Sequence, residues 1–538
     1  MRPRQFAVPS VALAVVVSAA LLAGQTAGVG EVHFANSGVP AAQAPFLAGL
    51  AQLHNFEYDA AADLFRKAQS IDSAFAMAYW GEAMTYNHPV WMQQDRDAAL
   101  KALTKLGATA DARLAKAPTD REKDYLRALD VLYGAGDKIA RDMAYADAMA
   151  SLYRKYPTDA DAATFYALAL LGTAHAGRDF ATYMRAAAVA EPVFREHPNH
   201  PGAAHYLIHS YDDPIHAPLG LRAARAYSEI APAAPHAQHM TSHIFVALGM
   251  WDDVVGANET AIRVVDRARK ERGQPPSTCG HYNTWLEYGY LQQGRLADAR
   301  KLVAECLVAA GGSVEAHHGG PAASGSESSV GPFAVMRARY LIDSEDWKGD
   351  VAGWKAPAAG PPAAQVTMEF INGLAAVRSG NLAAARESLS RLGKARGAID
   401  AQFEKSTDPD QAPRTRARVL EMQLNALIQN ADGGGAAAID RLREAAAIEE
   451  KTPFEFGPPV IDKPSHELLG ETLLAAGRAK DARAAFEAAL ARTPGRTASL
   501  MGLMRAATAM DDQAKAAEVR GQLRTIWRRA DSMPGEVK

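Results

Sequence analysis

The sequence predicts an all-α protein, a solenoid of antiparallel helix hairpins. Three observations carry this expectation. Alanine and other helix formers dominate, and β-branched runs are few. Small residues recur in one frame with larger apolar ones along the chain. No Gly-rich phosphate loop follows a strand pattern and no G-x-S-x-G turn occurs, which removes the common nucleotide-binding and α/β-hydrolase plans.

In chain order, residues 1–27 stand apart from the rest. "MRPRQFAVPSVALAVVVSAALLAGQTA" sets Arg2 and Arg4 before an apolar run from Val11 to Leu22, then small residues. That is the layout of a secretory signal peptide, and the run is short for a permanent membrane span. Gln25 stands where a lipoprotein would need cysteine, so no lipid anchor is expected. An uncleaved anchor is the alternative. The expected location is therefore outside the cytoplasm, periplasmic or secreted from a bacterium. Losing Arg2 and Arg4 moves the formal charge from −3 to −5, so no basic surface argues for nucleic acid.

The hairpins follow. "GLAQLHNFEYDAAADLFRKA" holds Gly49, Ala61, Phe65 and Ala68. "YADAMASLYRKYP" holds Ala148, Leu152 and Pro157, and "LRAARAYSEIAP" holds Ala223, Tyr227 and Pro232. "LGMWDDVVGANETA" holds Gly249, Val254 and Ala261, and "LEYGYLQQGRLADARKLVAEC" holds Tyr290, Gly294, Ala299 and Val303. "INGLAAVRSGNLAAARESLSRL" holds Gly373, Gly380, Ala385 and Leu389. "LGETLLAAGRAKDARAAFEAALARTP" holds Gly470, Gly477, Ala482, Phe486, Ala489 and Pro494. Small residues let two helices approach, and the larger one fills the neighbouring groove. One hairpin cannot bury its apolar face alone, so hairpins stack. "GGSVEAHHGGPAASGSESSVGP" reads as a flexible break. It divides the chain into an N-terminal array (35–310), a linker (311–332) holding His317 and His318, and a C-terminal array (333–530). "KGDVAGWKAPAAGPPAAQ" is a second, smaller break. Cys279 and Cys306 are the two cysteines; export permits a disulfide, and a structural role is expected, paired or free.

This frame resembles the tetratricopeptide repeat. Together with "HNFEYDAAADLFRKA" and "AMAYWGEAMTYNHPVW", the block "HPGAAHYLIHSYDDPIHAPLGLRAARAYSEIAPAAPHAQHMTSHIFVALGMWDDVVGAN" resembles a subgroup of exported bacterial tetratricopeptide-repeat proteins. The resemblance implies protein or peptide binding on the concave face. The usual Lys/Arg/Asn clamp for peptide carboxylates is missing, however, and histidine stands in its place.

Half of the 16 histidines lie between His197 and His243. Eighteen, fifteen and eleven residues before Val254 stand His236, His239 and His243. Before Ala223, the first and last of these offsets give His205 and Asp212; before Ala299, the first gives His281. The resemblance implies that these offsets face the concave surface. Helical geometry adds that His236, His239 and His243 share an arc of about 60°. His205 and His209 stack one turn apart. Imidazole is a good ligand for zinc, copper, nickel and iron, so a divalent transition metal is the expected cofactor. His205 and His209 facing His239 and His243 form the leading ligand set. Asp212, Asp213, His216 and His236 are candidates to support it or to hold a second metal. Glu82, His88, His281, Tyr282 and Asn283 are candidates for the same groove, while His54, His197 and His200 read as turn residues. The expectation is an exported binding protein or scaffold holding a metal. The alternatives are a metal-dependent hydrolase with Asp213 or Glu82 as base, and a metal-free peptide-binding module whose histidines are only polar lining.

Overall fold

The computed structural model describes residues 28–311, 329–355, 360–404, 406 and 411–538. The signal-peptide reading and most of the linker, with His317 and His318, lie outside the described residues. Helix follows helix throughout. The N-terminal half runs α1 (Pro40–His54), α2 (Tyr58–Ile71), α3 (Ala76–Met84), α4 (Arg96–Leu106), α5 (Ala110–Leu114), α6 (Asp120–Leu132), α7 (Lys138–Lys155), α8 (Ala160–Leu171) and α9 (Phe180–Glu196). The histidine block follows as α10 (Pro201–Tyr211), α11 (Ala217–Ile230), α12 (Pro235–Ala247), α13 (Trp251–Glu271), α14 (His281–Gln292) and α15 (Leu296–Ala309). The remainder is α16 (Val330–Ser344), α17 (Asp350–Gly353), α18 (Pro362–Arg378), α19 (Leu382–Phe403), α20 (Ala412–Ala431), α21 (Gly435–Glu450), α22 (Ser465–Ala475), α23 (Ala479–Arg492), α24 (Thr497–Ala509) and α25 (Gln513–Ile526). Among the described residues the only sheet is one antiparallel pair, β1 (Asn87–His88) with β2 (Gln93–Gln94).

One turn makes most of the hairpins. Its central residue is left-handed: Phe56 (φ 59°), Gly249 (66°), Gly294 (68°), Gly380 (79°), Gly477 (75°) and Asp511 (59°). The next residue's N–H then donates to the carbonyl five residues back, as from Met250 to Phe245 and from Arg478 to Leu473. This is a Schellman ending, which satisfies carbonyls that the helix leaves open. Glycine takes the conformation freely, whereas Phe56 holds it at a cost of about 1–2 kcal/mol.

The repeat frame shows its purpose in packing. The Phe65 ring sits between Gly49 and Gly81, and a Cβ on Gly81 would lie 2.4 Å from it. Phe486 sits between Gly470 and Gly502 at the same spacing, with a Cβ on Gly502 2.2 Å from the ring. Each large residue thus fills a notch on two successive first helices. One apolar core extends from Val29 to Tyr288 and a second from Val255 to Val537, so the two interleave at α13 and α14.

The superhelix closes on itself. Trp251 Nε1 donates to Gly495 O, and Trp527 Nε1 donates to Gln292 O, both at 2.9 Å. The segment 451–464, between α21 and α22, crosses onto the N-terminal half. There Phe454 stacks on Phe180 at 5.9 Å and Gly457 abuts the Trp285 ring. Among the described residues no helix is long and apolar enough to cross a membrane.

Candidate metal centre

The centre is built on α10, α12 and α14, the first helices of consecutive hairpins. Pro201 and Pro235 begin α10 and α12, where a missing N–H costs nothing. His200 caps α10, its Nδ1 accepting from Ala203 N–H at 3.2 Å. The i, i+4 spacing stacks His205 with His209 and His239 with His243. His281 opens α14 beside Cys279, whose disulfide to Cys306 ties that start to α15.

Two trios result. The donor nitrogens of His205, His209 and His236 lie within 4.8 Å of one another, as do those of His239, His243 and His281. This corrects the expected grouping of His205 and His209 with His239 and His243. His236 joins the first trio and His281 completes the second. The three residues from His236 to His239 rise about 4.5 Å along α12, so the two rings serve different ends of the cluster.

In the second trio hydrogen bonding fixes which nitrogens are free. Asn258 Nδ2 donates to Val254 O, so its Oδ1 must accept; it does so from His239 Nδ1–H at 2.7 Å. Asp212 Oδ2 accepts from His243 Nδ1–H at 2.6 Å. With both rings neutral, both Nε2 atoms carry lone pairs, yet they lie 3.1 Å apart. His281 Nε2 is 2.9 Å from His239 Nε2. A neutral His281 has one proton, which can satisfy one of these two contacts and leaves the other unbridged. A cation among the three satisfies both. Imidazoles bound at 2.0–2.1 Å in a tetrahedron have nitrogens about 3.3 Å apart, so the rings need to part only slightly. An orienting carboxylate or amide behind each ring is the usual support of metal-bound histidine.

The first trio lies deeper. His205, His209 and His236 are 0%, 2% and 4% exposed. His205 Nδ1–H donates to His54 O at 2.7 Å, leaving Nε2 as a lone pair. The Phe56 ring lies 4.3 Å from His205, 5.8 Å from His209 and 5.7 Å from His236. Its strained turn thus delivers an apolar floor to the trio. A third group, His54, Asp161 and His200, is different in kind. His54 Nε2–H donates to Asp161 Oδ1 and Nδ1 accepts from Tyr206 OH, each at 2.9 Å. Both His54 nitrogens are spent on this network, which leaves Asp161 Oδ2 and His200 Nε2 as the group's atoms without a hydrogen-bond partner among the described residues. His54 is thus more than a turn residue.

Burial sets the charge state. It pushes His205 down to about 3 and His54 to about 4, and takes His209, His236 and His239 well below the ordinary imidazole value. Repulsion among the imidazoles adds to this in the two trios. His281 is lowered to about 3, by burial first and then by His243 and Arg339, although one face of it meets solvent. Neutral imidazole is the metal-binding form, so proton competition sets in well below the ordinary value of about 6.5.

The histidines do not line an open groove. Phe456 of the 451–464 segment packs on His209 at 5.6 Å and His243 at 6.0 Å, and Trp91 packs on His236 at 6.1 Å. His281 supplies the accessible side.

The remaining candidates lie apart from the trios or only beside them. Asp213 accepts from Arg178 at 3.3 Å, from His216 Nδ1–H at 2.9 Å and from two backbone N–H groups, so it and His216 form a helix-end knot. Glu82 is held by Arg66 at 2.9 Å and Lys105 at 3.0 Å. Neither carboxylate is placed to act as a base at the trios. His88 stacks on Tyr58 at 3.8 Å and bonds Thr85 O. Tyr282 packs on His239 at 4.8 Å, while Asn283 ties the preceding loop through Ser277 O. Sequence reasoning missed Asn258, Phe56, Asp161 and Phe456. A phenylalanine where the hairpin turn usually carries glycine was the one signal available.

No protein-family model matches the chain, and no curated protein sequence matches it. Solved structures similar to it share helical repeats. The APC/C hetero-tetramer Cut9–Hcn1 is 13% identical with a TM-score of 0.35, over 92% of this chain and 81% of that one. A human IFIT1 dimer with m7Gppp-AAAA is 11% identical with a TM-score of 0.35, over 98% and 97%. Yeast Tom70 is 11% identical with a TM-score of 0.33, over 88% and 96%. The class rests on the hairpins themselves: the fold is an α-solenoid of tetratricopeptide-repeat type.

Proposed function

We propose that this protein is an exported bacterial repeat scaffold that binds a transition-metal ion through His239, His243 and His281. One observation carries the reading. Two Nε2 lone pairs, each fixed by a partner behind its ring, face one another 3.1 Å apart with a third Nε2 beside them. Only nitrogen donors are offered, which favours zinc, copper, nickel or iron over calcium or magnesium. Protein or peptide binding belongs to the same reading, on concave surface that the 451–464 segment leaves uncovered. Elemental analysis of untagged mature protein tests the metal. About one equivalent or more is expected, and it should fall in His239→Ala/His243→Ala. No metal after incubation with zinc or copper near neutral pH would overturn the reading.

One observation favours a second reading, a metal-dependent hydrolase. Three nitrogen donors leave a fourth position open, and His281 puts it on the accessible side. Turnover of esters or phosphoesters by metal-loaded protein, lost in the same double variant, would support it; uniform inactivity would count against it.

A further inference from the structure

We propose that the trio of His205, His209 and His236 holds a second transition-metal ion, making the six histidines one two-metal centre. This rests on the reading of the other trio as a metal site. The observation behind it is independent. His205 Nε2, His209 Nδ1 and Nε2, and His236 Nε2 are buried with no hydrogen-bond partner among the described residues. Orphaned buried polar atoms are costly, and one ion can take His205 Nε2, His236 Nε2 and one of the two His209 nitrogens.

That partner is a cation that accepts nitrogen. His205 presents a lone pair, because its Nδ1–H is committed to His54 O. The Phe56 ring closes the floor of the trio. The trio offers imidazole and neither carboxylate nor thiolate, the donor set of a late first-row metal. The two trios touch: His209 lies 6.0 Å from His243 and His236 lies 6.2 Å from His239, between ring centroids. Two ions held there are neighbours. A carboxylate stands on either side of the pair, Asp212 behind His243 and Glu57 accepting from the His236 backbone N–H at 3.1 Å, and Arg178 donates to His209 O at 2.9 Å.

The test uses the full-length mature protein, untagged, stripped by chelation and titrated with Cu(II) alone. Two coppers per chain are expected, with a paramagnetic resonance spectrum broadened by spin coupling and showing a half-field line. His205→Ala/His236→Ala and His243→Ala/His281→Ala should each keep one copper and give a sharp, uncoupled spectrum. One copper in the native chain, retained by His205→Ala/His236→Ala, would overturn the second site and leave the first standing. Two coppers with sharp spectra in the native chain would overturn the pairing. No copper in the native chain would instead overturn the reading beneath both. The native-chain measurements decide the matter even if a variant misfolds.

Discussion

Asp212 and Asp213 are adjacent carboxylates with different tasks, and that contrast can be measured. Asp212 is 1% exposed and accepts from His243 Nδ1–H at 2.6 Å. Asp212→Asn keeps the shape and can still accept through its amide oxygen, but it removes the charge that makes the ring a better donor. Loss of such a partner costs about 10- to 100-fold in metal affinity, roughly 1.4–2.7 kcal/mol. Asp213→Asn is the control. It weakens the contact to Arg178 and to His216, neither of which belongs to a trio. Arg178 keeps its bonds to Ser210 O and His209 O, so weakening its ion pair should destabilise the fold by about 1 kcal/mol without changing zinc affinity at the trio of His239, His243 and His281. Competition for zinc with a chromophoric chelator near neutral pH reads affinity, and thermal melting of the apo-protein reads stability. Unchanged affinity in Asp212→Asn, or equal loss in both variants, would refute the reasoning.

Three further outcomes are expected. Phe56→Gly relieves about 1–2 kcal/mol of left-handed strain but forfeits about 3–5 kcal/mol of buried ring, so calorimetry should show a net loss of roughly 2 kcal/mol; a higher Tm would mean the ring packs poorly. Glu287 is fully buried with neither oxygen hydrogen-bonded among the described residues, and burial pushes its carboxyl well above the ordinary range, with Arg339 opposing and Asp343 and Asp462 adding to the rise. A raised carboxyl loses stability as pH rises through its folded value, so Glu287→Gln should raise Tm at pH well above the ordinary carboxylate value and leave it unchanged in acid; no gain at any pH would place an unseen partner on Glu287. Against the upward pull of burial, Arg496 and Lys463 hold Glu467 down at about 2. Its contribution is therefore complete above the unfolded value and lost as pH falls toward 2, so melts of Glu467→Gln should lie below native ones near neutrality and meet them in acid; a pH-independent gap would contradict the assignment.

The fold was legible because its signal is local. Gly470, Ala482 and Phe486 report a helix crossing that each repeat makes with its nearest neighbours. The histidines were legible as a face, since helical period decides which side chains share one. How far along the axis each ring reaches is set by the crossing of α10, α12 and α14, so the regrouping around His236 and His281 could not be read. Asp161 sits on a helix whose other buried residues are nearly all apolar, and Asn258 lies on α13 within a repeat motif whose frame marks only its small and apolar residues. Phe456 belongs to "FEFGPPVIDKP", which has no period, and it meets His209 only through closure of the whole superhelix.

That closure also imposes an order in time. The histidines are synthesised well before the 451–464 segment that covers them, and N-terminal units fold first. For a while the nascent chain carries the trios without their cover. If the trios bind metal as proposed, ions taken up then would be enclosed when Phe456 arrives, and their later departure would wait on the rate at which that segment lifts. On that proposal uptake and release would be governed by different events, the first by the age of the chain and the second by a local opening of the finished one.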